Sequence, residues 1–205
     1  MSPRKVDPEE RREQIITAAM TLFAEKGFHQ ATMNDLVAAS GLSKGGLYWH
    51  FDSKEALVLA ILEQVFTHDV SMNAHILEAD GSAAERLAQM MRQSAAEIVS
   101  LKPMMTIFYE FYALASRTAE VRAVITRYFK QYQALLAQLI EQGTAAGEFR
   151  ASDAPTCAKL LIAQVEGLLL LWTLADMESD LTADCELATQ IFLRGLQKNR
   201  DNETD

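Results

Sequence analysis

Residues 32–57 read TMNDLVAASGLSKGGLYWHFDSKEAL, and the punctuation of this stretch decides the fold. Thr32, followed three residues on by Asp35, has the spacing of a helix N-terminal cap, and Met33, Leu36 and Val37 give that helix a buried stripe. Ser40-Gly41 stops it after barely two turns. Ser43 then caps a second short segment, Lys44 to His50, which Asp52-Ser53 closes. Two short helices across a glycine-containing turn of about three or four residues are the helix-turn-helix signature. Gly41 supplies the turn, where a positive φ is expected, and Leu47 and Phe51, one helical turn apart, face the core of the small domain.

Upstream, Asp7-Pro8-Glu9-Glu10 reads as a helix start, with Asp7 at N-cap, Pro8 at N1 and Glu10 closing a capping box. Ile15, Ala19, Leu22 and Phe23 form one apolar stripe. Gly27 is expected to end the helix in the left-handed conformation, with Phe28 folding back on Phe23. Downstream the pattern changes to long helices. One runs from Lys54 to Glu78 and stops at Asp80-Gly81; Ser82 and Glu85 open the next by a capping box, and Lys102-Pro103 breaks it. A shorter aromatic-rich helix follows, then helices from Thr118 to Gly147, Asp153 to Met177 and Thr182 to Lys198. The reading is all-α, about nine helices, without strands: a helix-turn-helix domain over 1–53, a helical ligand-binding and dimerisation bundle over 54–199, and a frayed tail over 200–205.

Charge sharpens that division. The net charge of −9 argues against a nucleic-acid partner. Yet residues 1–54 carry seven Lys/Arg and seven Asp/Glu, so the whole acidic excess belongs to the helices beyond Lys54. Arg4, Lys5, Arg11, Arg12, Lys44 and Lys54 are available for phosphates. With 49% hydrophobic residues the chain can bury a core. Cys157 and Cys185 have no CxxC partner and read as free thiols of a reducing compartment. The opening MSPRKVDPEERRE lacks the apolar core of a secretory signal. The most apolar run, Leu160 to Ala175, is interrupted by Gln164, Glu166 and Gly167 and falls short of the roughly 20 apolar residues that span a bilayer. A cytoplasmic protein without a membrane partner is expected.

The ordered positions Thr32, Asp35, Leu36, Gly41, Ser43, Gly45, Leu47, Tyr48, His50, Phe51, Lys54, Glu55 and Leu57 resemble the signature of the TetR family of bacterial transcriptional regulators. The resemblance is close over residues 8–60; beyond them the chain is similar to the family only in its long helices. It implies a dimer on a palindromic double-stranded DNA operator, released when a small molecule binds the C-terminal bundle. It also implies that Tyr48 and His50 grip phosphates. Lys54 would add a point charge to another, and Thr32 and Ser43 sit at helix N-termini that suit a phosphate. Base reading falls to Lys44, which can donate to guanine in the major groove, with Gly45, Gly46 and Trp49 shaping the approach. Gly46 departs from the small side chain common in the family, so a base-contacting side chain is lost there.

In the acidic part, Phe66, Phe108, Tyr109, Phe111, Tyr112 and Trp172, with Met90, Met91, Met104 and Met105, exceed what a small bundle core needs. Aromatics and methionines of this kind line adaptable apolar sites. From this group Phe66, Met90, Met104, Phe108, Phe111, Tyr112 and Trp172, joined by Glu166, form the expected pocket for a small apolar or amphipathic effector. Glu110 and Glu166 each interrupt an apolar run and can meet a cationic or hydrogen-bonding ligand. The segment Cys157 to Met177 is apolar nearly all round and must be covered all round. Leu161, Val165, Leu168 and Leu169, with Ile191 and Phe192 of the last helix, are therefore the expected homodimer interface.

Three classes of function compete. A ligand-gated repressor fits best; a helix-turn-helix protein regulated by a partner protein, or without a small-molecule ligand, is the alternative; a helical enzyme is set aside. His68 and His75 share a helix face but no third metal ligand lies at supportive spacing. No phosphate loop or nucleophile–base set occurs, so neither a metal nor a cofactor is called for.

Overall fold

The computed structural model describes residues 7–150, 152–175 and 180–197. Among these the chain forms nine α-helices: α1 Pro8–Lys26, α2 Met33–Ser40, α3 Lys44–His50, α4 Lys54–Ala74, α5 Ala83–Ser100, α6 Met105–Ala115, α7 Ala119–Ala145, α8 Ala154–Leu174 and α9 Leu181–Leu196. Single 3-10 turns follow α4 (His75–Glu78) and precede α6 (Lys102–Met104). The one extended pairing among the described residues is an isolated bridge between Phe149 and Gln197. The architecture is all-helical, as the periodicity predicts. The frayed tail expected over 200–205, and the last turn expected of the helix ending at Met177, lie outside the described residues.

The residues fall into two compact units. The first holds the described residues up to Phe66 together with Pro103–Thr126; the second holds Thr67–Lys102 and the described residues from Arg127 onward. The first unit thus extends beyond residues 1–53, the stretch expected to form the helix-turn-helix domain. The reason is the apolar face of α1, which α2 and α3 do not finish covering. Phe23 and Phe28 meet edge-to-face at 5.4 Å, and Phe111 of α6 closes on both rings at 6.4 and 5.9 Å. All three rings are buried. Burial of this size stabilises a small three-helix unit that has little core of its own.

Local signals in the first unit act largely as read. Thr32 and Asp35 form a reciprocal capping box, Ser43 Oγ accepts from the Gly46 N–H at 3.1 Å, and Gly41 is left-handed at φ 67° and ψ 13°. Gly27 differs. Its φ of 81° is positive but its ψ is 148°, an extended mirror-image conformation instead of the expected helical one. Phe28 still packs on Phe23, and its N–H donates to Glu110 Oε2 at 3.1 Å. Glu110 therefore serves as a tether for the turn after α1. Asp7 caps α1 by accepting from the Glu9 N–H at 2.9 Å.

In the second unit α9 packs on α5 and on α8. Its core joins Leu87, Met90 and Met91 of α5, Leu136, Leu139 and Ile140 of α7, Leu161 of α8, and Leu193 and Leu196 of α9. Gly143 is required there, since a Cβ would strike the Phe149 ring and lie 2.8 Å from Ala83 Cβ. Glu148 receives the N–H groups of Ala83 and Ala84 at 3.0 and 3.2 Å, fixing the start of α5.

α8 is long and apolar enough to cross a membrane by length and composition, with a mean hydropathy of 1.6, so the interruptions at Gln164, Glu166 and Gly167 weigh less than expected. Only 17% of that window is buried within the chain.

Candidate nucleic-acid interface and ligand cavity

α3 is short enough for every residue to be placed. Leu47 is fully buried and Phe51 nearly so, and these two anchors turn the opposite side of the helix outward. Tyr48 is 41% exposed and Trp49 71%. Beside a helix whose core-facing positions are filled, these two rings leave an apolar surface open to solvent. Lys44 Nζ lies 5.8 Å above the Tyr48 ring, and Trp49 sits edge-on to His50 at 4.5 Å. Lys44, Tyr48, Trp49 and His50 thus form one contiguous strip. Gly45 is exposed, and a Cβ there would meet nothing within 4 Å; at Gly46 it would meet Ser43 Oγ at 3.2 Å. The chain's own packing gives no reason for glycine at 45, and two helical glycines cost about 1 kcal/mol each relative to Ala. A smooth outer surface, open to something that approaches closely, is the return on that cost.

The remaining expected contacts divide. Thr32 and Ser43 lie exposed at the starts of α2 and α3, but their hydroxyls already serve as caps. Asp35, bonded first by Lys26 at 2.7 Å and then by Thr32, has its carboxyl lowered to about 2, so it stays charged. Lys54 is committed within the chain: Nζ donates to the Phe28 carbonyl at 2.8 Å and stands 4.6 Å from the Phe28 ring centre. Its distance in sequence from Phe28 hid that role. Arg12 is also engaged, with its guanidinium 5.5 Å from the Phe51 ring centre.

The expected pocket residues divide between the two units. Phe66, Met104, Phe108, Phe111 and Tyr112 belong to the first unit, and Met90, Glu166 and Trp172 to the second. Phe111 is core. Phe108 packs between Phe66 and Phe111, with ring centres at 6.4 and 6.0 Å. Met90 is fully buried in the core of the second unit. The Trp172 ring is capped by Lys102 Nζ at 4.6 Å. Composition supplied these residues, but only the phase of each helix against its neighbours decides which face a cavity.

A cavity does open within the second unit, between α5, α7 and α8. Met91, Ser94 and Ile98 form one wall, Tyr128, Phe129 and Tyr132 the second, and Ile162, Val165 and Glu166 the third. Of the expected ligand set only Glu166 lines it. Its volume is ≈ 30 Å³, small against the roughly 300–1,000 Å³ of sites that hold drug-sized molecules. Burial pushes the Glu166 carboxyl up to about 7. Behind the tyrosines runs a polar chain: Tyr128 OH donates to Asp69 Oδ2 at 2.9 Å, Asn73 Nδ2 bridges Asp69 Oδ1 and Ser94 Oγ, and Ser94 Oγ meets Tyr132 OH at 2.7 Å. Desolvation raises the Asp69 carboxyl and the Tyr132 phenol. Spacing offers no hint of this chain, whose members come from three helices.

The expected dimer residues also divide. Leu161 is fully buried within the chain, Leu169 nearly so, and Val165 lines the cavity. Leu168 and Phe192 are partly buried, and Ile191 is 57% exposed. The bare apolar positions are Leu160, Leu170, Leu171 and Leu174 of α8 with Leu187 and Ile191 of α9. The helices were legible; the stripe is displaced because the core of the second unit claims the Leu161 side of α8.

Residues 15–61 match the model of bacterial regulatory proteins of the tetR family, and residues 83–196 match that of the BetI-type transcriptional repressor C-terminal domain. The chain is 28% identical over 190 residues to the HTH-type transcriptional regulator TtgR of Pseudomonas putida, covering 89% of each chain. Its fold is that of a transcriptional regulator from Saccharomonospora viridis in complex with choline (TM-score 0.83, 19% identity, 93% of this chain and 100% of that one). It is equally that of SmeT in a complex with triclosan (TM-score 0.78, 22% identity, 93% of each chain).

Proposed function

This chain belongs to the TetR family of bacterial regulatory proteins and is a DNA-binding transcriptional regulator; from that premise we propose that it is a cytoplasmic repressor that binds a palindromic operator as a homodimer and is released by a small molecule. The observation that carries the reading is the outward strip of α3, with Leu47 and Phe51 anchored and Lys44, Tyr48 and Trp49 exposed around a bare glycine pair. In the major groove such a helix sets Lys44 at base edges and the Tyr48 hydroxyl and His50 at phosphates, with the helix starts at Thr32 and Ser43 adding backbone N–H groups. A symmetric dimer needs its two recognition helices about 34–36 Å apart, or a multiple of that. The apolar stripe of α8 and α9 supports the dimer, since Leu160, Leu174, Leu187 and Ile191 are each more than half exposed in the single chain. α4 and α7 each continue from one compact unit into the other, so an occupant of the cavity bears on a helix that also belongs to the DNA-binding unit. SmeT with triclosan and the S. viridis regulator with choline support a small-molecule effector.

Fluorescence anisotropy on a panel of operator-like duplexes tests the interface. Tyr48→Ala should weaken binding to all duplexes alike, whereas Lys44→Ala should change the ranking among them. Uniform loss with Lys44→Ala would remove it as base reader. Light scattering of a Leu160→Asp/Ile191→Asp variant should give a monomer with lost operator affinity, and an intact dimer would move the interface elsewhere.

A further inference from the structure

We propose that the cavity between α5, α7 and α8 selects organic cations, taking the ammonium group of a quaternary or protonated amine against the Glu166 carboxylate and the faces of Tyr128, Phe129 and Tyr132. The inference rests on reading this cavity as the effector site and adds to it the charge of the occupant.

The chemistry of the wall carries the argument. Among the described residues Glu166 is the one charged residue lining the cavity, and no Lys, Arg or His lines it. Among the described residues no hydrogen bond or ion pair reaches its carboxylate. A carboxylate drawn out of water without a partner is costly, and the cost falls when a cation arrives. Burial expresses the same cost by raising its pKa to about 7. Opposite it, Tyr128 and Tyr132 stack at 5.9 Å with an interplanar angle of 27°, and Phe129 completes an aromatic wall on one helix. Aromatic faces carry negative quadrupole and attract a cation within about 6 Å, most strongly where water is excluded. The Tyr128 hydroxyl donates to the Asp69 carboxylate and the Tyr132 hydroxyl is tied to Ser94. Both tyrosines are thus held by their edges, and the Asp69 charge behind them adds to the negative potential.

The rest of the lining defines the molecule attached to the ammonium. Met91, Ile98, Ile162 and Val165 are apolar and suit alkyl or aryl substituents, and the unbranched Met91 side chain is the one that gives way as the small cavity enlarges around them. An anionic occupant would face Glu166 with no compensating base. Since the choline and triclosan complexes share this fold at about one-fifth identity, the fold leaves the ligand class open and the lining residues set it.

Calorimetry and melting of the full-length dimer with three probes of similar shape test the assignment: benzyltrimethylammonium, its neutral isostere neopentylbenzene, and the anion phenylacetate. The cation should bind at least about tenfold more tightly than neopentylbenzene, phenylacetate should not bind, and the cation should release operator DNA. Glu166→Gln should weaken the cation about tenfold, the factor for 1.4 kcal/mol, and leave neopentylbenzene unchanged. Phe129→Leu should weaken the cation by a smaller factor. Cation affinity should rise with pH through about 7 as Glu166 ionises, and Glu166→Gln should flatten that profile. The other titratable groups near this point among the described residues are Tyr128 and Tyr132 on α7, Asp69 on α4 with His68 and Glu97 beside it, and Cys185 on α9 beside Tyr132; the α5 residues lining the cavity have none. Affinity that falls with rising pH would mean a protonated Glu166 donating to a neutral ligand and would overturn the proposal. So would equal binding of the three probes, an unaffected Glu166→Gln, or no binding of the cation. Release of DNA by a neutral or anionic probe alone would overturn the cation assignment and leave the effector site standing. Tight cation binding without release would do the reverse.

Discussion

The two compact units solve the problem of polar groups in opposite ways. In the first, the polar side chains that cap the helix starts act over short range, Asp35 with Thr32, Ser43 with Gly46, Asp7 with Glu9, while Lys54 and Glu110 reach back to the turn after α1. These bonds fix helix ends and leave the outer face of α3 free. In the second, Asp69, Asn73, Ser94, Tyr128 and Tyr132 assemble from α4, α5 and α7 into a buried network behind a cavity. Short-range capping sets geometry rigidly, as a surface that must match a DNA groove requires. A buried network around an incompletely filled cavity leaves room for a second state, as a sensor requires.

The sharpest way to break that contrast is Phe111→Ala. If Phe111 belongs to the rigid unit, truncation should cost about 3–5 kcal/mol in denaturant melts and leave effector affinity in surviving folded protein unchanged. A small loss of stability with a large loss of effector affinity would return Phe111 to the pocket. Next is Gly143→Ala, which drives a methyl into Phe149 and Ala83 and should destabilise the second unit by about 1–3 kcal/mol. Hydrogen exchange should show the loss concentrated in α5 and α7. Gly45→Ala should act with opposite signs: a gain of up to about 1 kcal/mol in stability, because the new Cβ meets nothing in the chain, and weaker operator binding. Unchanged DNA affinity would deny the close approach assigned to the bare face of α3.

The smallest effect concerns pH. The Glu166 carboxyl is raised from 4.5 to about 7 in the folded chain. Between those values the unfolded chain has lost the proton that the folded chain keeps, so stability is full below about 4.5 and falls as pH rises toward 7. Glu166→Gln should therefore melt higher than the parent at pH 8 and near it at pH 4.5. An identical difference at both values would mean that Glu166 is not desolvated in the dimer.

How far the sequence can be read depends on how near in the chain each residue's partner lies. Asp7, Thr32, Gly41, Ser43 and Ser82 were found where they act, because a cap and its partner lie two or three residues apart and the motif contains both. Glu110 and Lys54 have a structural role that spacing does not show, because their partner, Phe28, lies 82 and 26 residues away. Each ties the turn after α1, a role that neither neighbouring residue nor helical period marks. On α8 the period was right but the phase was not: Leu161 went to the core of its own chain and Leu160 to the outside. A helix apolar on nearly every face carries no internal mark of which side its own bundle will take.

The sequence by itself therefore determined the helices, their ends, the helix-turn-helix and the family, since capping, periodicity and turn chemistry operate within a few residues. Only the tertiary structure decided that α6 completes the DNA-binding unit, that Glu166 and not Phe111 faces a cavity, and which leucines remain bare. Those outcomes depend on the rotation of each helix about its axis against distant neighbours. That rotation is fixed by close packing of the whole core and not by any one segment.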